Sequence, residues 1–391
     1  MLNKRDSEKV VNVICTILFG AFTFFYLYFF QNDMLAYAQY ILAEGTTTYN
    51  SLVGAFIITG VLLLLSLLSA SAFVKNLAFL PALYHLPSLL VLAAITDINI
   101  VDAGQKNVFG YTWFVSFSIF ILFLVVNGLI KRVISITNYN KDVIYKSLWI
   151  NLFLLFFMCF FAVTCGNTSE KDHITIRSER LMSQGEYYQA YKLFDNCTVN
   201  SRELTIIKAY SLAKTNRLGE CFFNTTIVRG SQNLVPMRHV NLKFFPKDSI
   251  YKNLGGIPSE GLSVRSYLEI MNQRKMLSKI GRNYLLMACL LDKDLDKFAE
   301  YYKEYRDSAQ FIPKHFSEAL TLYSRIRSNP VISLNIPEKE ADFEDFQAMI
   351  KKYPDKTLCE NALRNIYGNT YWFYYYFTSS RAFTQSVSNE N

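Results

Sequence analysis

Apolar residues are distributed along this chain in two unlike ways. In the first part they form five nearly unbroken runs, at 10–30, 51–74, 76–96, 109–130 and 148–165. After residue 165 they recur at helical spacing among charged and tyrosine-rich stretches. A helix needs about 20 predominantly apolar residues to cross a bilayer. In hydrocarbon every backbone amide has to be satisfied within its own segment, so each run reads as a helix and not as a strand. The pattern predicts an all-α protein with a five-helix transmembrane domain over 1–167 and a second domain over 168–391. Pro81 and Pro87 interrupt the third run, and only Lys75 separates it from the second, so this crossing is the one on which the count of five depends.

Beyond the last run the spacing is that of paired amphipathic helices. Ile176, Arg180, Leu181 and Met182 lead to a turn at Gly185, and Tyr187, Ala190, Tyr191 and Phe194 then recur at i, i+3, i+4, i+7. A second unit runs from Ile206 to Ala213, turns at Thr215-Asn216-Arg217 and continues through Leu218, Cys221 and Phe222. A third runs from Tyr284 to Leu291, turns at Asp292-Lys293-Asp294 and continues from Leu295 to Tyr305. Between the second and third, residues 226–261 hold Pro236, Pro246, Pro258 and a Gly255-Gly256 pair, which predicts an irregular insertion.

The segment Arg180–Tyr191 resembles a tetratricopeptide helix-turn-helix, a unit that repeats about every 34 residues. Together with Ala209–Gly219 and the aromatic tail Gly368–Phe377, the layout resembles an uncharacterised family of bacterial multi-spanning membrane proteins with a tetratricopeptide-like C-terminal domain. That resemblance implies an α-solenoid after the bundle. The family has no assigned activity, so it places no catalytic residue on this chain.

Charge sets the expected orientation. With the N-terminus inside, the inner segments hold Lys4, Arg5, Lys9, Lys75, Lys131, Arg132, Lys141 and Lys146, against Lys106 alone in the outer loops. Cytoplasmic loops retain Lys and Arg, so the bias predicts a cytoplasmic (inner) membrane protein whose C-terminal domain lies outside. The first run exceeds a signal-peptide core, and Gln31-Asn32-Asp33 follows it instead of a small-x-small cleavage site, so it reads as an uncleaved anchor. The net charge of +8 is dispersed, and the basic stripe of a nucleic-acid binder is missing.

Candidate chemistry is sparse. No phosphate-cradling loop, HExxH or nucleophile elbow occurs, and the four histidines, His85, His173, His239 and His315, stand apart without companion ligands. Asp292–Asp296 imitates half a calcium loop, but Lys297 and Lys303 occupy the glycine and glutamate positions, so a turn with an Asp helix cap is expected and no metal or cofactor is assigned. Inside the membrane, Pro81, His85 and Pro87 form a candidate polar site, since an ionisable residue at that depth is a functional hypothesis by default. The bland expectation is that His85 bonds a carbonyl freed by the kink. The aromatics Tyr371, Trp372, Phe373, Tyr374, Tyr375, Tyr376 and Phe377 are either a belt at the lipid headgroups or the cap on the solenoid's open end. Acids near span ends, Asp33, Glu44, Asp97 and Asp102, would serve a membrane enzyme on lipid-linked or envelope material. The leading expectation is a non-catalytic scaffold that contacts membrane lipid, presents its helical domain to a protein or peptide partner and binds no nucleic acid. A membrane enzyme or a transporter subunit is the alternative.

Overall fold

A computed structural model describes residues 4–77, 80–101, 107–133, 144–195, 197, 199–225, 227–237, 240, 242–258, 261–306, 311–334 and 336–378. It divides into two compact units, Met1–His173 and Ile174–Asn391. The described residues are helical throughout, apart from loops and one isolated bridge between Ile98 and Phe109.

The first unit comprises α1 (Lys4–Phe25), extended by a π-helical turn at Tyr26–Phe30, then α2 (Asn32–Leu42), α3 (Ser51–Leu77), a 3-10 turn (Pro81–His85), α4 (Leu86–Thr96), α5 (Thr112–Val133) and α6 (Ile144–Cys165). Four stretches, in α1 with its extension, α3, α5 and α6, are long and apolar enough to cross a membrane. The third run differs from its expected form. Residues 76 and 77 belong to α3, and the remainder is the shorter apolar helix Pro81–Thr96, broken at His85. Both prolines sit in the first turn of the stretch they begin, where a missing N–H leaves no helical bond unmade.

The broken helix is the interior of the unit. At most 33% of any long apolar stretch is buried, whereas Pro87, Ser88, Leu89, Leu90, Leu92, Ala93 and Thr96 of α4 are all buried, with α3, α5 and α6 packed around them. Hydrogen bonds gather helix ends in one place. Gln31 Nε2 donates to the Asn167 carbonyl at 3.0 Å, and Asn167 N–H donates to the Thr96 carbonyl at 2.9 Å. Asp97 Oδ2 caps α5 by accepting Thr112 N–H at 2.9 Å, and Ser51 Oγ donates to Asn32 Oδ1 at 2.6 Å. The ends of α1, α4 and α6 therefore meet the starts of α3 and α5, so that α1, α3, α4, α5 and α6 run in alternating directions. Gly166 permits this approach: a Cβ there would fall 2.5 Å from Tyr26 OH and 2.8 Å from Thr96 Oγ1. The helix α2, which the run pattern leaves in a loop, buries Tyr37, whose hydroxyl accepts Val101 N–H at 3.0 Å.

The helix α7 (Glu170–Ser183) leads into the second unit, followed by α8 (Tyr187–Lys192), α9 (Arg202–Lys214), α10 (Leu218–Cys221), α11 (Lys247–Leu254), α12 (Val264–Gln273), α13 (Lys279–Leu291), α14 (Leu295–Tyr305), α15 (Lys314–Ile326), α16 (Pro337–Lys352), α17 (Lys356–Tyr367) and α18 (Tyr371–Phe377). One device ends five of these helices. A residue of positive φ at Gly185, Asn216, Gly255, Lys275 or Lys293 is followed by an N–H that donates five residues back, from Glu186, Arg217, Gly256, Met276 and Asp294 to the carbonyls of Leu181, Leu212, Tyr251, Met271 and Cys289. This is the Schellman closure, which satisfies carbonyls left over at a helix end. Helix starts are closed equally regularly: the side chains of Ser201, Ser263, Ser278, Asp294, Asp355 and Thr370 each accept the N–H three residues on.

Residues 204–213 of α9 and 284–291 of α13 are buried without a break, so these two helices are the middle of the unit. The stretch 226–261, expected to be irregular, holds α11, which starts after Pro246 and closes at Gly255.

Candidate functional site

In the first unit His85 is 1% exposed and its ring stacks on Phe19 at a centroid distance of 4.7 Å. Neither ring nitrogen has a hydrogen-bond partner. The expected bond from His85 to a kink carbonyl is therefore absent; the side-chain bond at the break is made instead to a donor, Ala82 N–H, by Asn151 Oδ1 of α6 at 3.0 Å. Asn151 can reach it because it is fully buried against the 3-10 turn. Pro81 and Pro87 are buried beside His85. Of the acids near span ends, Asp97 is occupied as the α5 cap, Asp33 lies in the first turn of α2, and Glu44 adopts a φ of 51° just past that helix. Asp102, like His239, lies outside the described residues.

The aromatic helix α18 is tied into the second unit by polar groups as well as by ring packing. Tyr371, Trp372 and Tyr374 are buried, while Phe373, Tyr375, Tyr376 and Phe377 are partly buried against the same core. Tyr371 OH donates to the Leu290 carbonyl at 3.2 Å and Tyr374 OH to the Leu291 carbonyl at 2.8 Å, at the end of α13. Lys293 Nζ, from the αL turn that closes α13, donates to the Tyr375 carbonyl at 2.6 Å and to the Thr378 carbonyl, so it satisfies the last turn of α18.

Glu318 of α15 is the centre of this attachment. Its Oε2 accepts Tyr371 N–H at 2.8 Å and His315 Nδ1–H at 3.0 Å, and its carbonyl accepts Trp372 Nε1–H at 2.7 Å. His315 Nε2 accepts Phe223 N–H at 3.2 Å, which leaves the proton on Nδ1. His315 thus has a companion acid after all, three residues on. Burial holds its pKa below the usual imidazole value, and both nitrogens are engaged, so the pair serves as a structural clasp and not as a general base.

A cleft of about 610 Å³ opens beside this clasp. One wall is Arg364, Asn365, Asn369, Phe373 and Phe377 of the α17–α18 corner; the other is Asp195, Asn200, Asn224, Thr225 and Arg229. Arg364 pairs with Glu360 at 2.6 Å and lies over the Phe373 ring at 5.9 Å. The cleft therefore offers guanidinium, carboxylate, carboxamide and aromatic surfaces at once, a set suited to binding a polar chain with apolar side groups.

Two buried charges near the cleft or the insertion escaped sequence reasoning. Lys208 sits amid the buried α9, donating to the Phe222 carbonyl at 2.7 Å and to both the carbonyl and hydroxyl of Thr225; burial pushes its amine down to about 7. Glu179 of α7 accepts three successive backbone N–H groups through Oε2, from Lys243, Phe244 and Phe245, the last two at 2.7 and 3.3 Å. Its Oε1 has no partner, and burial pushes the carboxyl up to about 7 against the pull of those amides. The three amides lie 64 to 66 residues from Glu179, so local pattern carries no trace of them.

Asp294 caps α14 through Lys297 N–H at 3.0 Å and pairs with Arg265 at 3.1 Å, the cap role that its spacing predicts. Among the described residues no group of three or more metal-ligating side chains comes together. None of the seven cysteines is disulfide-bonded.

Residues 263–378, from the cap of α12 through the end of α18, match the model of a family described as of unknown function (DUF6057). No curated protein and no solved structure matches the chain. An all-helical chain with four helices able to span a membrane and a match to a family of unknown function is consistent with an uncharacterised membrane protein family.

Proposed function

We propose that this protein is a membrane-anchored scaffold that holds a partner protein or peptide in the cleft beside α18, without catalysis. In this reading five segments cross a bacterial cytoplasmic membrane, with the N-terminus inside and a tetratricopeptide-like domain in the cell envelope. The alternating helix directions support an odd number of crossings. The 3-10 turn and α4 together measure about 26 Å, close to the ~30 Å of a hydrocarbon core. The eight-to-one distribution of Lys and Arg supports the orientation. A topology reporter fused after Asn167 tests this arm: a phosphatase fusion active outside is expected, and a fluorescent fusion active inside overturns it.

The observation that carries the binding reading is the cleft itself, of a size and mixed polarity suited to a peptide segment and built by a helix that five named side-chain bonds hold in place. A photoreactive residue at Asn365, in the cleft wall, is expected to give one adduct of defined mass in living cells. The same residue at Ile366, exposed on the face of α17 opposite the cleft, gives none. Equal labelling at both positions, or no adduct at either, rejects the reading.

One observation favours the alternative of a transporter subunit or membrane enzyme: His85 keeps two unpartnered nitrogens inside the bundle. A group of that kind at membrane depth would serve a passing polar ligand.

A further inference from the structure

The helices α5 and α6 both pack on α4 but make at most marginal contact with each other. The gap between them is a crevice of about 240 Å³, with Leu86, Leu89 and Leu90 as its floor, Ile119 as one wall and Phe157 and Phe161 as the other. These positions follow from sequence spacing: Leu86, Leu89 and Leu90 share one face of α4 at i, i+3 and i+4, and Phe157 and Phe161 share one face of α6. No lining residue carries a hydroxyl, and Ser88 Oγ of α4 is turned to the Leu62 carbonyl at 2.7 Å and so offers the crevice nothing.

We propose that this crevice is a binding site for one straight fatty-acyl chain of a phospholipid. The proposal rests on the reading that the first unit lies in a bilayer. A water there would lack the two to four polar partners that hold buried water in place. The volume itself selects among apolar occupants. A helix is about 10 Å across with its side chains, so one from a second copy or a partner would lie over the mouth of the crevice and reach its floor only through side chains. A methylene takes about the space of a water molecule, roughly 30 Å³, so about eight methylenes of a single chain fill it. Hydrocarbon is also the medium on both sides, since Phe157 is 53% exposed and α5 is only 11% buried over its apolar stretch. A chain drawn in from that medium gains dispersion contacts on three sides without losing any hydration.

Depth identifies the leaflet. Leu90 and Leu86 lie six and ten residues before Thr96, or about 9 and 15 Å from the end where Thr96 meets Asn167. The site therefore takes a chain from the leaflet on the Asn167 side, between its headgroups and the bilayer centre.

The test uses the full-length protein purified in mild detergent and washed extensively, with retained lipid counted by native mass spectrometry and identified after extraction. One phospholipid per chain is expected. Ile119→Trp, which fills the crevice from its wall, is expected to lower occupancy at least tenfold. Leu64→Trp, on a face of α3 that is 62% exposed at that residue, is expected to change nothing. A phospholipid with a diazirine in its acyl chain, incorporated into nanodiscs with the wild-type protein, is expected to label α4 and α6 peptides in preference to α3. Even labelling across the helices, equal lipid retention in all three proteins, retention of a polyisoprenoid in place of a phospholipid, or a dimer that Ile119→Trp dissolves each overturns the proposal. Protein that leaves the membrane without detergent instead rejects the bilayer reading beneath it.

Discussion

Glu318 receives Tyr371 N–H at 2.8 Å through the same carboxylate oxygen that receives His315 Nδ1–H at 3.0 Å, so one buried acid joins the first turn of the aromatic helix to a histidine that itself holds Phe223. Both donors are buried, and removing their acceptor strands them. Glu318→Ala is expected to cost about 3 kcal/mol, the range for a broken buried charged network. It should also open residues 371–377 to chymotrypsin in otherwise folded protein. Glu318→Gln keeps an oxygen for both donors and removes a buried charge, so its stability should lie within about 1 kcal/mol of wild type. Equal loss in the two variants would show that the clasp depends on charge and not on the acceptor geometry.

The αL turns supply a paired test. Lys275 and Lys293 both adopt positive φ, at 54° and 60°, a conformation that glycine occupies without strain. At Lys275, which is exposed, glycine should stabilise by about 0.5–1 kcal/mol by relieving that strain. At Lys293 the side chain is in use on the carbonyls of Tyr375 and Thr378, and Lys293→Gly should destabilise by about 1–2 kcal/mol despite the same relief. Thermal midpoints of the two variants in full-length protein should therefore move in opposite directions.

How much of this was legible in the sequence depends on the distance over which each feature is determined. The helix-turn-helix pairs at Gly185, Asn216 and Lys293 were readable because spacing and turn chemistry lie within a dozen residues of each other. The break of the third run was marked by Pro81 and Pro87. A local mark also existed for α11, with proline at its start and Gly255 at its end, but the surrounding prolines and glycines masked an eight-residue helix. The clasp had no local mark. Glu318 and Tyr371 are 53 residues apart, and His315 and Phe223 are 92 apart, so only tertiary packing brings them together. The Asn151 bond to Ala82 was hidden in the same way, across 69 residues.

Glu179 and Lys208 give stability a pH dependence of opposite sign on the two sides of neutrality. Burial raises the folded carboxyl of Glu179 from 4.5 to about 7, so its contribution is full below 4.5 and is lost as pH rises through 7. Burial lowers the folded amine of Lys208 from 10.5 to about 7, so its contribution is missing below 7 and grows as pH rises toward 10.5. The part of each limb that falls between pH 5 and 9 is on the order of 3 kcal/mol. Denaturation midpoints followed from pH 5 to 9 should show the acid limb flattened in Glu179→Gln and the alkaline limb flattened in Lys208→Met. Glu179→Gln leaving the acid limb unchanged would mean that the amides of residues 243–245 hold the carboxylate ionised.

His85 and Asn151 separate a structural role from a functional one inside the bundle. Asn151 Oδ1 accepts Ala82 N–H at the helix break, and Asn151→Leu should cost about 1–3 kcal/mol by stranding that donor. His85 carries the reverse burden: two buried nitrogens without partners, offset only by its stack on Phe19. Phenylalanine preserves a stacked pair worth about 0.5–1.5 kcal/mol and removes both polar atoms. His85→Phe should therefore raise the thermal midpoint of the solubilised protein while leaving the Asn365 adduct in cells intact. A variant that is more stable but has lost the cellular adduct would show the imidazole to be needed for function at a cost in stability, which is how a polar site within a membrane is distinguished from a satisfied core residue.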